Sequence, residues 1–341
     1  MENIESLFIK PVVLFHSVDA DGVFSAWVCD SFYHMSKTAS KYHTKLDFIP
    51  WNYGEIINSV DYKKLRDASV IIMSDATLPD DYMTEFAHKI VWLDHHLFAI
   101  EHSKSQEWKK HLLYDGAVDG TAGCLLTWNF FYNTVASEIE KELDFSLPYF
   151  VKYAACYDIW DKEDPNVDYF SCYVRKYFTF GTSSLKRSSF EALKSNFALI
   201  NSDITSHKHD VLHEGYLIYK QREEENERQC KSLAWYTTFL GYNIAIANYT
   251  RCNSEWFKYI VNKHPDIEYL IGFSYSFASK SWKISCYNSS TNPNGNALDI
   301  LKEISDKYGD KVITFGGHRA ACGMVITDIS PILDRLIDKK A

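Results

Sequence analysis

Short, uninterrupted apolar runs alternate with mixed polar segments over the first hundred residues. Val12–His16 (VVLFH) is followed by a polar loop and a helical pattern from Val23 to about Met35. Phe48–Trp51 is a second short run, and Ile56–Leu65 reads as a helix. Ser69–Ser74 (SVIIMS) predicts a strand, Asp80–Ala87 a helix and Ile90–Leu93 a further strand. Strands that are apolar at every position are buried on both faces, as in a parallel sheet covered by helices. The expected N-terminal domain, residues 1–200, is therefore α/β with right-handed crossovers.

Beyond Gly120 the pattern is mainly helical, clearest at Thr121–Tyr132 and Tyr149–Ile159. From Ile204 to Trp235 it reads as one long polar helix carrying the run QREEENER, so residues 201–236 are expected to form a helical linker. The run is charged like a solvated helix face, and no Gly/Ser-rich stretch softens the connection. Residues 237–341 then begin a smaller α/β domain. Tyr242–Asn248, Tyr269–Ser276, Trp282–Cys286 and Met324–Thr327 are strand-like, and Ala297–Tyr308 and Ile332–Ile337 are helical.

Length fits two domains, since 341 residues exceed one typical unit. With 46% hydrophobic and 16% aromatic residues, the chain has material for real cores and is not a disordered class. Lys plus Arg number 36 and Asp plus Glu 45, so the net charge is −9. That excludes a coat for long duplex nucleic acid but suits a small anionic substrate held through metal ions. No apolar run approaches the roughly 18 residues of a membrane span. The start, MENIESLFIK, is acidic where a secretory signal is basic, and none of the eight cysteines forms a CxxC pair. Reduced, mostly buried thiols and a cytoplasmic location are expected.

The chemistry gathers at the predicted strand ends. The first strand ends in His16-Ser-Val-Asp19-Ala-Asp21-Gly22, the third in Asp75, the fourth in Asp94-His95-His96. Asp158 follows a helical segment. Ligands bind beyond the carboxyl ends of parallel strands, and several carboxylates in one crevice stay ionised only beside cations. Mixed oxygen and imidazole donors suit manganese better than structural zinc. Taken singly, Asp19 and Asp21 read first as helix caps, and Asp158 as an ordinary surface or cap residue. Gly22 lets the chain turn tightly behind Asp21. Near the other end, Gly316-Gly317 taken singly reads as a turn.

The order of these motifs resembles the DHH phosphoesterase superfamily, named for the triplet seen here as Asp94-His95-His96. The resemblance runs nearly the whole length. GTAGCLLTW at 120–128 is similar to the family's helix after the third motif, and TFGGHRAACGM at 314–324 resembles the G-G-H motif of its associated C-terminal domain. It implies a parallel-sheet catalytic domain joined by a helical linker to a substrate-binding domain. It also implies two Mn²⁺ ions, for which Mg²⁺ or Co²⁺ could substitute. Asp19, with His16 beside it, would bind the first; Asp21, His95 and Asp158 the second; Asp75 would bridge them. His96 would face the scissile phosphate and Asp94 would orient the histidines. The spacing His16-x-x-Asp19-x-Asp21 lies between the family's two usual forms, which leaves open whether His16 reaches the metal.

In the second domain the resemblance assigns substrate contacts to Gly316, Gly317, His318 and Arg319, and to Ser285 and Asn288. Tyr287 stands where the family has an arginine, a departure that removes one phosphate donor. The implied activity is hydrolysis of short oligonucleotides, linear or cyclic dinucleotides or nucleotide bisphosphates by two-metal-activated water. The alternatives are a pyrophosphatase or short-chain polyphosphatase, and a catalytically inactive nucleotide-binding protein. The implied partner is a small phosphorylated nucleotide or short single strand, with no membrane; a homodimer is left open.

Overall fold

The computed structural model describes residues 5–53, 55–136, 146–180, 186–317, 319–334 and 336–338. The chain divides into two compact units, Met1–Tyr219 and Lys220–Ala341, with the division inside the helix Lys208–Leu233.

The first unit is built on five parallel strands: β1 (Pro11–His16), β2 (Asp47–Trp51), β3 (Val70–Ser74), β4 (Ile90–Leu93) and β5 (Tyr114–Asp115). Their order is β2-β1-β3-β4-β5. Every residue of β1, β3 and β4 is buried. The alternation inside those runs explains why. Val13, Phe15 and Ile72 face a core shared with the helices Ala20–Met35 and Tyr149–Asp158. Val12, Leu14, Ile71 and Met73 face a second core with Leu65, Met83 and Phe86. Side chains alternate sides along a strand, so a run with no polar position requires cover on both faces. Helix bounds differ from the sequence expectation by a few residues, as at Ser59–Asp67, which starts later because Asn58 caps it through Val60 and Asp61.

The second unit is a seven-stranded mixed sheet: β6 (Ala234–Phe239), β7 (Tyr242–Asn248), β8 (Tyr269–Ser276), β9 (Ser281–Asn288), β10 (Val312–Gly317), β11 (Ala321–Ile326) and β12 (Ile337–Asp338). The order is β10-β11-β9-β8-β7-β6-β12, and only β7–β8 is parallel. The helix Ala297–Tyr308 packs Ile300, Leu301 and Ile304 onto it.

Three expectations fail here. The helix placed at Ile332–Ile337 stops at Leu333, and Ile337 instead pairs with Thr238 at the open edge of β6. The long helix ends at Leu233 rather than Trp235, because AWYTTF pairs with β7 as a hairpin strand. The expected elements contain no strand at Val312–Gly317, where β10 runs and ends in the glycines at 316–317, opposite Gly323 and Cys322. All three corrections concern strands near a sheet edge. Edge strands bury one face poorly and carry a weak pattern: β10 is almost wholly solvent-exposed.

Among the described residues no helix is long and apolar enough to cross a membrane. All eight cysteines are free thiols, and all but Cys156 are buried.

Candidate metal centre

The strand order 2-1-3-4-5 has its switch point between β1 and β3, where the crossovers leave in opposite directions and open a crevice. His16 ends β1, Asp75 follows β3 and Asp94 follows β4. Three adjacent strands thus deliver their next polar residue to one place.

Asp75 stands at the centre. It adopts a left-handed backbone (φ 55°), unusual for a residue other than glycine, while its N–H still donates to the Leu93 carbonyl at 2.9 Å. Both carboxylate oxygens are buried, and neither accepts from a backbone amide or a hydroxyl. They meet imidazoles instead: His16 Nδ1 at 3.6 Å, His95 Nε2 at 3.3 Å and His96 Nδ1 at 3.8 Å. A buried carboxylate faced only by imidazoles is costly unless those rings are protonated or a metal cation satisfies it.

Asp19 caps the helix Ala20–Met35 with one oxygen, accepting from Gly22 N at 3.1 Å, and turns the other to His16 Nδ1 at 2.8 Å. The cap and ligand readings are therefore compatible. Gly22 is not a turn residue. It lies inside the helix, where an added Cβ would sit 1.8 Å from the His16 carbonyl oxygen. Its need is close approach, which presses the helix against the end of β1.

Asp21 is wholly buried. Its oxygens accept from Gly123 N at 2.6 Å and Cys124 N at 2.8 Å, the first amides of the helix Gly123–Asn129. An added Cβ on Gly123 would lie 2.6 Å from Asp75 Cβ, so this glycine lets the helix start approach both carboxylates. His95 Nε2 faces three acids: Asp158 at 3.0 Å, Asp75 at 3.3 Å and Asp21 at 3.7 Å. Asp94, also buried, accepts from the N–H groups of His95 and His96 and meets His96 Nδ1 at 2.7 Å. Its other oxygen accepts from Thr77 and Tyr53.

Two sets of ligand atoms each lie within 4.8 Å of one another: His16, Asp75 and His96, and Asp21, Asp75 and His95. Asp75 belongs to both. Asp19 adjoins the first set through His16, and Asp158 adjoins the second through His95.

The electrostatics reflect this crowding. Burial, together with the charges of Asp75 and Asp158, pushes the Asp21 carboxyl well up. Burial and Asp19 raise Asp75. Burial would lower the His16 and His95 imidazoles, but their carboxylate neighbours overcome it and push both up to about 11. Without cations the crevice keeps its charge balanced by protons. Divalent ions would replace them, and the carboxylate–imidazole donors fit manganese or magnesium-like ions.

Three contributors escape the sequence reading. Asn52 Oδ1 meets His16 Nε2 at 2.9 Å, Tyr53 packs beside His16 and His96, and Thr77 holds Asp94. Asn52 and Tyr53 directly follow β2, the neighbour of β1, so the strand-end logic could have found them.

In the second unit Ser285 lies in β9 between Gly272 and Gly323. Asn288 Nδ2 donates to the Gly295 carbonyl at 2.8 Å, leaving its buried Oδ1 without a partner. Arg319 also reaches that loop, donating to Gly295 O at 3.1 Å and Asn294 O at 2.5 Å. Gly316 faces open space, whereas Gly317 (φ 135°) has no room for a Cβ against Cys322. His318 lies outside the described residues.

No protein-family model matches the sequence, and no curated protein does. Solved structures do. One is a DHH-domain structure from a family of ribosomal proteins. It matches with TM-score 0.61 and 13% identity over 97% of this chain and 87% of that one. Another is RecJ of Thermus thermophilus in complex with Mn²⁺, with TM-score 0.50 and 12% identity over 98% of this chain; the chain spans about half (52%) of RecJ. The fold is thus that of the DHH proteins, an α/β parallel-sheet domain followed by a separate mixed-sheet domain.

Proposed function

We propose that the chain is a divalent-metal-dependent phosphodiesterase of the DHH type. Its substrates would be short oligonucleotides, linear or cyclic dinucleotides, or nucleotide bisphosphates. The observation that carries this reading is Asp75, a buried carboxylate that no backbone amide or hydroxyl satisfies, shared by two groups of ligand atoms. His16, Asp19 and Asp75 would hold one ion, and Asp21, Asp75, His95 and Asp158 the other. Bound divalent ions supply a nucleophilic water at neutral pH and neutralise phosphate charge.

The side chains do the rest. Asp94 engages His96 Nδ1, which leaves Nε2 to donate toward a phosphate oxygen as charge grows there. Its contact with Asp94 holds the His96 imidazole above its ordinary value despite burial, so the ring is suited to donate. RecJ, solved with Mn²⁺, supports manganese by analogy of fold.

The test is hydrolysis with added Mn²⁺ of a dinucleotide, a cyclic dinucleotide, a phosphoadenosine phosphate, a short single-stranded DNA and pyrophosphate. The control is the Asp94→Ala/His95→Ala double variant. Metal-dependent cleavage of a nucleotide, absent in the variant, is expected. Cleavage of pyrophosphate alone, or of nothing, would overturn the reading.

A further inference from the structure

The helix Tyr149–Asp158 ends in a tight reversal. Trp160 N–H donates to the Tyr157 carbonyl at 3.2 Å and Asp161 N–H to the Cys156 carbonyl at 2.8 Å. That is the paired closure in which the residue just past the cap turns left-handed and is usually glycine. Here it is tryptophan, at φ 62°. A bulky side chain in that conformation is a true outlier, and strain of this kind persists mostly where it serves a site.

The indole is also not taken up by core packing, being 55% exposed. Lys162 Nζ lies 3.7 Å from its ring centroid and 4.7 Å from that of Tyr157. Lys162 is itself anchored by Asp168 at 2.8 Å. Tyr157 stands edge-on to Trp160, with centroids 5.8 Å apart. Its hydroxyl accepts from Arg175 Nη2 at 2.6 Å, and the guanidinium lies over its ring. The result is an exposed, cation-backed aromatic surface flanked by a second cation. It begins two residues, or about 7 Å of backbone, from Asp158, whose carboxylate meets His95.

We infer that Trp160, backed by Lys162 and flanked by Tyr157 and Arg175, is a nucleobase-stacking subsite beside the metal centre. It would hold the base of the nucleoside whose phosphate lies in the crevice. The inference rests on the phosphodiesterase reading for its substrate class. An indole face stacks any base, so the subsite gives affinity with little sequence preference. Arg175 and Lys162 would attract the phosphate that follows.

The test is the binding of 5′-AMP and of ribose 5-phosphate to the Mn²⁺-loaded protein, by calorimetry. Wild type should bind AMP more tightly than ribose 5-phosphate. Trp160→Gly should weaken AMP binding by about tenfold, within what one stacked base contributes, and leave ribose 5-phosphate unchanged. Trp160→Phe should keep most of the affinity. Because glycine suits the left-handed position, the Trp160→Gly protein should also melt at a higher temperature than wild type, so misfolding is not a confounder. Equal AMP binding by Trp160→Gly, equal loss of both ligands, or no preference for AMP in wild type would overturn the subsite. If AMP binding depends on Trp160 while no phosphodiester is cleaved, the subsite stands and the activity reading fails. Cleavage with AMP binding indifferent to Trp160 sinks the subsite alone.

Discussion

Asn52 Oδ1 meets His16 Nε2 at 2.9 Å and at the same time accepts the Tyr53 N–H at 2.9 Å. The backbone donor fixes which end of the amide points at the ring, so His16 Nε2 must carry the proton. Nδ1 then faces Asp19 and Asp75, the side on which a metal ligand is needed. Asn52→Ala should therefore weaken Mn²⁺ binding by about 10- to 100-fold with little change in Tm. Unchanged affinity in a Mn²⁺ titration would mean that His16 is not a ligand.

Gly123 is the point where the helix start, Asp21 and Asp75 converge. In Gly123→Ala the new methyl would meet Asp75 Cβ and backbone, which cannot yield as a flexible side chain could. A loss of about 1–3 kcal/mol of stability is expected from overpacking, with weaker Mn²⁺ binding as the amides shift off Asp21. Chemical denaturation and a metal titration would check both. A variant as stable as wild type would show that the helix start is loosely held against Asp75.

The raised imidazoles give a pH dependence with a definite sign. Carboxylate neighbours outweigh burial and push the His16 and His95 imidazoles up to about 11, so both hold protons at neutral pH when no metal is bound. A cation must displace those protons. Apparent affinity should rise as the solution goes from mildly acidic to mildly alkaline, by up to about tenfold per pH unit for each proton released. Calorimetry in buffers of different ionisation heat would measure the release. Binding without proton release would contradict the doubly protonated crevice.

Much of the first unit is legible in the sequence. The runs VVLFH, SVIIMS and IVWL are apolar throughout because both faces of β1, β3 and β4 are covered, so strand type and parallel class can be read together. The polar residue after each run marks the crevice for the same reason. Asp21 is legible as a site residue, but its hydrogen bonds to Gly123 and Cys124 span about a hundred residues and leave no local trace. Asn52 escapes because an asparagine after a strand is ordinary turn chemistry until its partner is known. Trp160 escapes because the helix stop it occupies is normally signalled by glycine. In the second unit β6, β10 and β12 are lost where poor burial weakens the alternation.

The proposed metal centre turns on Asp75 serving two ions at once. Mn²⁺ binding to the metal-free protein, followed by electron paramagnetic resonance and counted by calorimetry, tests that directly. Wild type should take up two Mn²⁺ ions that couple magnetically. Asp75→Asn should stay folded by circular dichroism yet lose both the coupling and at least one ion. One ion in wild type, or two coupled ions in Asp75→Asn, would contradict the shared-carboxylate centre.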